Sequence, residues 1–103
     1  MSHFRLLPEA VIDLQEAAEW YEAQELGLGQ ELLDEFEHRL NTAIEVPSAG
    51  QLSSTTIAGN VIRRYQLDRF HRYAILMAVV ECIPTIVAFA HSRRRPKFWD
   101  ERV

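Results

Sequence analysis

The sequence predicts an α+β fold, because helical and strand-like patterns occupy separate parts of the chain. Residues 8 to 46 carry apolar side chains at helical spacing, whereas residues 61 to 91 hold runs rich in β-branched and aromatic residues. A short apolar stretch before Pro8 adds one strand at the N-terminus. The predicted order is strand, helix, helix, strand, strand, strand, with a helical hairpin packed on a mainly antiparallel sheet of about four strands.

The helical hairpin is predicted from two amphipathic segments joined by a short break. Pro8 suits the first turn of a helix, where its missing N–H leaves no hydrogen bond unmade, and this helix should run to about residue 25. Gly27 and Gly29 end the pattern, because glycine adopts the left-handed conformation common at helix ends. A second helix should end near residue 46. The expected apolar stripes are Ala10, Leu14, Ala17 and Tyr21, widened by Val11, Ala18 and Trp20, and then Leu33, Phe36, Leu40, Ala43 and Ile44.

The C-terminal half predicts three strands after a loop. Residues 47 to 60 are rich in Pro, Ser, Thr, Gly and Asn, a composition typical of a loop. Pro84 belongs near the start of its strand or at an edge, and Cys82 is expected to pack as a small core residue. A short helix or tail should follow from Pro96. Short breaks favour antiparallel neighbours for the three strands, at residues 61–67, 73–80 and 83–91.

Size and composition predict a single domain over residues 1–103. The hydrophobic fraction of 48% suffices for a core and argues against disorder. A single cysteine excludes an internal disulfide framework. The N-terminus lacks the apolar core of a signal peptide, and no run of about 18 apolar residues occurs. We therefore expect a cytoplasmic protein without a membrane partner.

Charge is unevenly distributed along the chain. Residues 1–50 contain eleven acids and two bases, whereas residues 51–103 contain nine bases and four acids. This asymmetry predicts two functional surfaces, of which the basic one is a candidate for phosphate or for an acidic partner. The alternative is a dipolar protein whose two halves neutralise each other.

The basic residues form two clusters that antiparallel pairing can bring into one patch. Arginine binds phosphate well because its planar fork engages two oxygens at once, and neighbouring aromatic rings offer a surface on which a base can stack. The alternative is that the arginines pair with the acidic helices and that Trp99 caps the core. The first cluster holds Arg63, Arg64, Arg69 and Arg72; the second holds Arg93, Arg94, Arg95 and Lys97, followed by Phe98 and Trp99.

Few residues suggest acid–base or metal chemistry. His91 stands at the end of the last predicted strand, where it can act as an acid or base near neutral pH or simply close the strand with a hydrogen bond. Asp34 and His38 share a helix face, but two weak ligands make a poor metal site. No glycine-rich phosphate loop or paired-cysteine motif is visible. We therefore expect neither a metal nor a cofactor.

Three stretches of the chain together resemble a known family. Their most specific parts are WYE at residues 20–22, R-x-x-x-x-R-F-x-x-Y from Arg64 to Tyr73, and H-x-R-R-x-P-x-x-W from His91 to Trp99. Taken in order, they resemble the RelE/ParE superfamily of toxins from bacterial toxin–antitoxin operons, and more closely its ParE-like, plasmid-stabilisation branch. The resemblance extends over nearly the whole chain and implies a helical hairpin packed on a mainly antiparallel sheet.

The resemblance implies a growth-inhibiting toxin that a cognate antitoxin neutralises. The C-terminal segment of such an antitoxin wraps the toxin, the two form a hetero-oligomer, and DNA is contacted only through the antitoxin. ParE-like members poison DNA gyrase, which requires a binding surface and not a catalytic set, so we do not expect an enzyme. The residues expected to bind the target or the antitoxin are Arg63, Arg64, Arg69, Arg72, Arg93, Arg94, Arg95, Phe98 and Trp99.

Two alternatives remain within the resemblance. RelE-like members cleave mRNA on the ribosome, and an endoribonuclease of this kind would use Arg64, His91 and Arg93. Trp99 stands where those enzymes have a tyrosine, and Lys97 is the sole lysine of the chain, so gyrase poisoning is the preferred prediction. The second alternative is a non-toxic relic that acts only in a DNA-binding autorepressor complex with its antitoxin.

Overall fold

The predicted α+β architecture is confirmed by a computed structural model, which describes residues 3–57 and 59–93. Two helices pack against one face of a five-stranded sheet with the order β1-β5-β4-β3-β2. The short helix or tail expected from Pro96 lies outside the described residues. The elements are β1 (Arg5–Leu6), α1 (Pro8–Gln24), α2 (Leu28–Glu45), a 3-10 helix (Pro47–Ala49), β2 (Gln51–Ile57), β3 (Asn60–Gln66), β4 (Tyr73–Val80) and β5 (Ile83–His91).

The sheet has one strand more than predicted, because β2 lies where we expected a loop. It pairs antiparallel with β3, from Gln51 opposite Arg64 to Ile57 opposite Asn60. Strand β2 lies at the edge of the sheet and pairs with β3 alone, and edge strands are commonly less apolar than central ones. Leu52 is 66% exposed. The Ser- and Thr-rich composition therefore resembled that of a loop.

The other strands follow the prediction closely. Strands β3, β4 and β5 pair antiparallel in turn, and β1 adds a short parallel pair to β5. Pro84 is the second residue of β5, near its start as predicted. Cys82, in contrast, is exposed and not a core residue. It shares a tight turn with Glu81, and both have positive φ angles, as two-residue hairpin turns require.

The helical hairpin depends on both glycines, in different ways. Gly27 has a φ of 88° and supplies the left-handed residue before α2. Gly29 lies inside α2, where a Cβ atom would approach the Ala18 carbonyl oxygen to 2.6 Å. The Glu22 carboxylate accepts hydrogen bonds from the N–H groups of Gly27, at 2.9 Å, and Gly29, at 3.0 Å. Glu22 therefore satisfies donors at the start of α2 that would otherwise lack partners.

The core between the helices and the sheet differs from the predicted stripes at three positions. Leu32 is fully buried at the start of the α2 stripe, in place of Leu33. Trp20 lies at the edge of the α1 stripe and is 58% exposed, whereas Asp13 is only 6% exposed. The buried members of this core are Ala10, Ala17, Leu32, Phe36, Leu40, Ala43, Tyr65, Leu67, Phe70, Ile75, Met77, Ile86 and Phe89.

The opposite face of the sheet is also apolar and buried. Its cluster draws one residue from β3 and the others from β4 and β5: Ile62, Leu76, Ala78, Val87, Ala88 and Ala90. A bulge between β4 and β5 sets this pattern, because Leu76 pairs with Ala88 whereas Met77 pairs with Ile86. Val87 is the extra residue, so it joins Ala88 on this face.

Asp13 links α1 to strand β5 of the sheet. Its Oδ2 atom accepts a hydrogen bond of 3.2 Å from the Phe89 N–H. Strand β1 ends before it reaches this part of β5. The carboxylate therefore satisfies a buried donor on the side of β5 that β1 leaves uncovered.

Neither α1 nor α2 combines the length and apolarity needed to cross a membrane.

We expect Asp13→Ala to lower the free energy of unfolding by about 1–3 kcal/mol, because the buried Phe89 N–H loses an acceptor. Asp13→Asn keeps an acceptor oxygen and should lose less. Glu16→Ala, an exposed change one turn later, is the matched control and should stay within about 0.5 kcal/mol of wild type. Urea unfolding measures all three variants, and an Asp13→Ala protein as stable as the control would contradict this role.

Gly29→Ala should destabilise the protein by about 1–3 kcal/mol, because the new methyl group meets a backbone oxygen that cannot rotate away. Gly27→Ala meets no neighbouring atom and should lose only about 1 kcal/mol, from its left-handed backbone. Thermal unfolding compares the two. A smaller loss at Gly29 than at Gly27 would show that the helices do not depend on this close approach.

Candidate functional site

The candidate site is a cleft at the end of the sheet where β4 begins and β5 ends. Tyr73 pairs with His91 in the ladder, and the Ser92 N–H donates a 2.7 Å hydrogen bond to the Arg72 carbonyl oxygen. This pairing brings Arg72 and Arg93 to the same place. The cavity measures about 330 Å³ and is lined by Trp20, Tyr21, Arg72, Tyr73, His91 and Arg93. We call it the His91 cleft.

A second cavity adjoins the His91 cleft and has the opposite charge. It measures about 270 Å³, and Trp20, Tyr73 and His91 line both cavities. Its remaining lining residues are Asp13, Glu16, Ala17 and Phe89. We call it the acidic recess. The cationic and anionic sites therefore lie side by side along one aromatic wall.

The aromatic wall continues into the core, which fixes its position. Phe36 contacts Phe89 edge-on with ring centroids 5.3 Å apart, and Phe89 stacks on Tyr73 at 4.9 Å. His91 meets the Tyr73 ring edge-on at 5.0 Å. Because Phe36 and Phe89 are buried, the Tyr73 and His91 rings are held by well-packed neighbours.

Trp20 and Tyr21 form the helical side of the cleft. Their rings meet edge-on at 5.0 Å, and Tyr21 also contacts Phe70 at 4.9 Å and Tyr73 at 6.0 Å. Tyr21 is half-buried, so it joins the exposed Trp20 ring to the core. We predicted both as part of the apolar stripe of α1. Trp20 instead exposes most of its surface to solvent.

His91 is held as a neutral hydrogen-bond donor. The Arg93 N–H donates to its Nδ1 atom at 3.0 Å, which assigns the ring proton of the neutral form to Nε2. Burial lowers the pKa of His91 below its usual value, and the positive charges of Arg72 and Arg93 lower it further. At neutral pH the ring therefore donates from Nε2 and keeps its lone pair engaged at Nδ1.

Tyr73 is a second neutral donor at the cleft. Burial raises the pKa of its hydroxyl above the usual value of 10.0, and the neighbouring Tyr21 raises it further. The hydroxyl therefore stays protonated at neutral pH. Together with the guanidinium groups of Arg72 and Arg93, the cleft offers hydrogen-bond donors and positive charge.

The predicted arginine clusters separate in the structure. Arg63 faces the helices and donates from Nη1 to the Gly50 carbonyl oxygen at 3.0 Å. Tyr65 beside it donates to the Pro47 carbonyl oxygen at 2.5 Å, so this pair holds the connection between α2 and β2. Arg64 shares the opposite face of β3 with Ile62, in the middle of the sheet.

Arg69 faces α2 and not the cleft. It forms a 3.0 Å ion pair with Glu31, and its N–H donates to Glu35 at 3.0 Å. Arg39 forms a second ion pair, 3.0 Å long, with Asp68. These contacts tie the turn between β3 and β4 to α2. Of the predicted binding residues, Arg94, Arg95, Phe98 and Trp99 lie outside the described residues.

Sequence reasoning found the cationic residues of the cleft but missed its aromatic ones. Trp20, Tyr21 and Tyr73 belong to the motifs WYE and R-F-x-x-Y, and this was the available signal. No group of three or more His, Cys, Asp and Glu side chains within residues 3–57 and 59–93 is arranged to hold a metal ion.

Arg72→Gln should raise the pKa of His91, because one of the two charges that oppose its protonation is removed while its burial remains. Arg69→Gln is the matched control, since Arg69 lies on the same turn but does not line the cleft. NMR titration of the His91 ring protons in wild type and both variants measures the change. An unchanged His91 pKa in Arg72→Gln would show that the Arg72 guanidinium does not lie close to the His91 ring.

Neither a scan of protein families nor a search of curated proteins finds a match to the chain.

Proposed function

We propose that this chain is the toxin of a type II toxin–antitoxin system, similar to the ParE-like plasmid-stabilisation toxins. It inhibits growth in the cytoplasm by binding and poisoning DNA gyrase, and a cognate antitoxin neutralises it. The antitoxin makes the contact with DNA. The toxin itself acts by protein–protein contact and performs no chemical step.

The observation that carries this proposal is the meeting of three separate sequence motifs at one cleft. Trp20 and Tyr21 come from the first motif, Tyr73 from the second, and His91 and Arg93 from the third. Residues 20, 73 and 91 are far apart in the chain, and folding places them on one wall. Part of each motif on which the family resemblance rests thus lines one cleft, which supports a shared binding function.

The chemistry of the cleft favours binding over RNA cleavage. A nuclease that activates a ribose hydroxyl requires a group that accepts a proton. Arginine cannot accept a proton, and the Tyr73 hydroxyl stays protonated. The Nδ1 lone pair of His91 already accepts a hydrogen bond from the Arg93 N–H. The carboxylates of Asp13 and Glu16 lie in the acidic recess, and their negative charge opposes a phosphate backbone.

The proposal is tested by gyrase supercoiling in vitro. Purified chain is titrated into gyrase and plasmid, and the linear, cleaved DNA is quantified. We expect cleaved DNA to accumulate and the antitoxin, encoded by a small neighbouring reading frame, to reverse the effect. Arg93→Gln should require about tenfold more protein for the same cleavage, since it loses a charged contact. Arg69→Gln should behave as wild type.

Absence of cleaved DNA at a large excess of the chain would reject gyrase as the target. The same preparation should then be added to translating ribosomes. Cleavage of mRNA that depends on ribosomes and is lost in Arg93→Ala would identify an endoribonuclease of the RelE type.

A further inference from the structure

We propose that the His91 cleft and the acidic recess together bind one extended polypeptide segment that carries an acidic and a basic side chain close together. The acidic side chain lies between Arg72 and Arg93, and the basic one lies over Trp20 and reaches Glu16. This inference rests on the proposed function in one respect, that the partner is a protein. It adds the chemistry by which that partner is recognised.

The cationic half of the site is prepared for a single carboxylate. Arg72 and Arg93 are exposed and flank the end of the β4–β5 ladder. The ion pairs in the described part of the chain join Arg39 to Asp68 and Arg69 to Glu31, and neither involves the cleft arginines. The Nε2–H of His91 adds a neutral donor to the same cleft. A carboxylate bound here would accept charge-assisted hydrogen bonds.

The anionic half is prepared for a cation. Helix α1 carries five acids and no base between residues 8 and 24. Asp13 is engaged with the Phe89 N–H, so the exposed Glu16 is the carboxylate that a ligand reaches. Trp20 stands at the boundary between the two cavities with more than half of its surface free. An Arg or Lys side chain over this ring gains a cation–π interaction as well as the attraction of Glu16.

Charge complementarity favours a polypeptide over a nucleic acid. A nucleic acid presents negative charge at every phosphate, and those that extend past Arg72 and Arg93 would meet the acids of α1. An extended peptide places residues i and i+2 on one side, about 7 Å apart. Because the two cavities share Trp20, Tyr73 and His91, side chains of opposite charge at this spacing fit both halves.

The test compares two fluorescein-labelled probes by fluorescence anisotropy with the full chain. One is a twelve-residue peptide that repeats Glu-Gly-Lys-Gly, and the other is a twelve-nucleotide oligouridylate. We expect the peptide to bind more tightly than the oligonucleotide. Arg72→Gln and Arg93→Gln should each weaken peptide binding about tenfold, and Glu16→Gln should weaken it about threefold. Arg69→Gln should leave it unchanged, and circular dichroism verifies that each variant is folded.

A second readout locates the peptide. A carboxylate between Arg72 and Arg93 offsets their charge, so the pKa of His91 should rise when the peptide is added. Tighter binding of the oligonucleotide, binding of neither probe, or equal effects of Arg69→Gln and Arg72→Gln would each overturn the inference.

Failure of this inference differs from failure of the proposed function. In one case wild type poisons gyrase, Arg72→Gln and Arg93→Gln poison it equally well, and no peptide binds. This result would reject the peptide site but keep the proposal that the chain is a gyrase toxin. In the other case the peptide binds and both arginines are required, but the chain has no effect on gyrase. This result would keep the peptide site and reject gyrase as the target.

Discussion

The register between β4 and β5 is the constraint on which both the core and the cleft depend. It is set by the tight turn at Glu81 and Cys82 and by the bulge at Val87. Side chains alternate along a strand, so a slip of one residue would move His91 and Phe89 to the opposite face of the sheet. Phe89 would then leave Phe36 and Tyr73, and His91 would leave the cleft. The same register brings Arg72, which precedes Tyr73, and Arg93, which lies two residues after His91, to the same end of the ladder, where both line the cleft.

Asp13 connects this register to the helices. Its hydrogen bond to the Phe89 N–H fixes α1 relative to β5, because the donor belongs to the backbone of the strand. Trp20 follows two turns later on the same helix. A shift of α1 along the sheet would therefore break a buried hydrogen bond before it could move Trp20 away from His91. The polar contact positions the ring, while the small residues Ala10 and Ala17 let the helix approach closely.

The sequence predicted the elements whose residue pattern results from burial. It missed the element that exists because it pairs with a neighbouring strand. Strands β3 to β5 are rich in apolar residues because both of their faces are buried, and their bounds agree with the prediction within one residue. Strand β2 is defined by its pairing with β3, which composition does not encode. Helical spacing likewise gave the bounds of α1 but not the exposure of Trp20, which lies at the margin of the buried stripe.

The same distinction explains the arginines. Their closeness in sequence predicted one patch, but closeness in space is decided by the strand ladder. Arg63 and Arg69 are engaged within the fold, Arg63 with the Gly50 carbonyl oxygen and Arg69 with Glu31. The Arg69 contact agrees with the alternative prediction that the arginines pair with the acidic helices, whereas Arg63 bonds to a neutral backbone group. Arg72 and Arg93 remain beside an aromatic wall and next to the acids of α1. A surface with both signs of charge discriminates between partners by their charge pattern, since a partner with the wrong order of charges is repelled at one half. The uneven charge of the sequence therefore becomes a local contrast across Trp20, and on this contrast we base the proposal that the cleft recognises a protein.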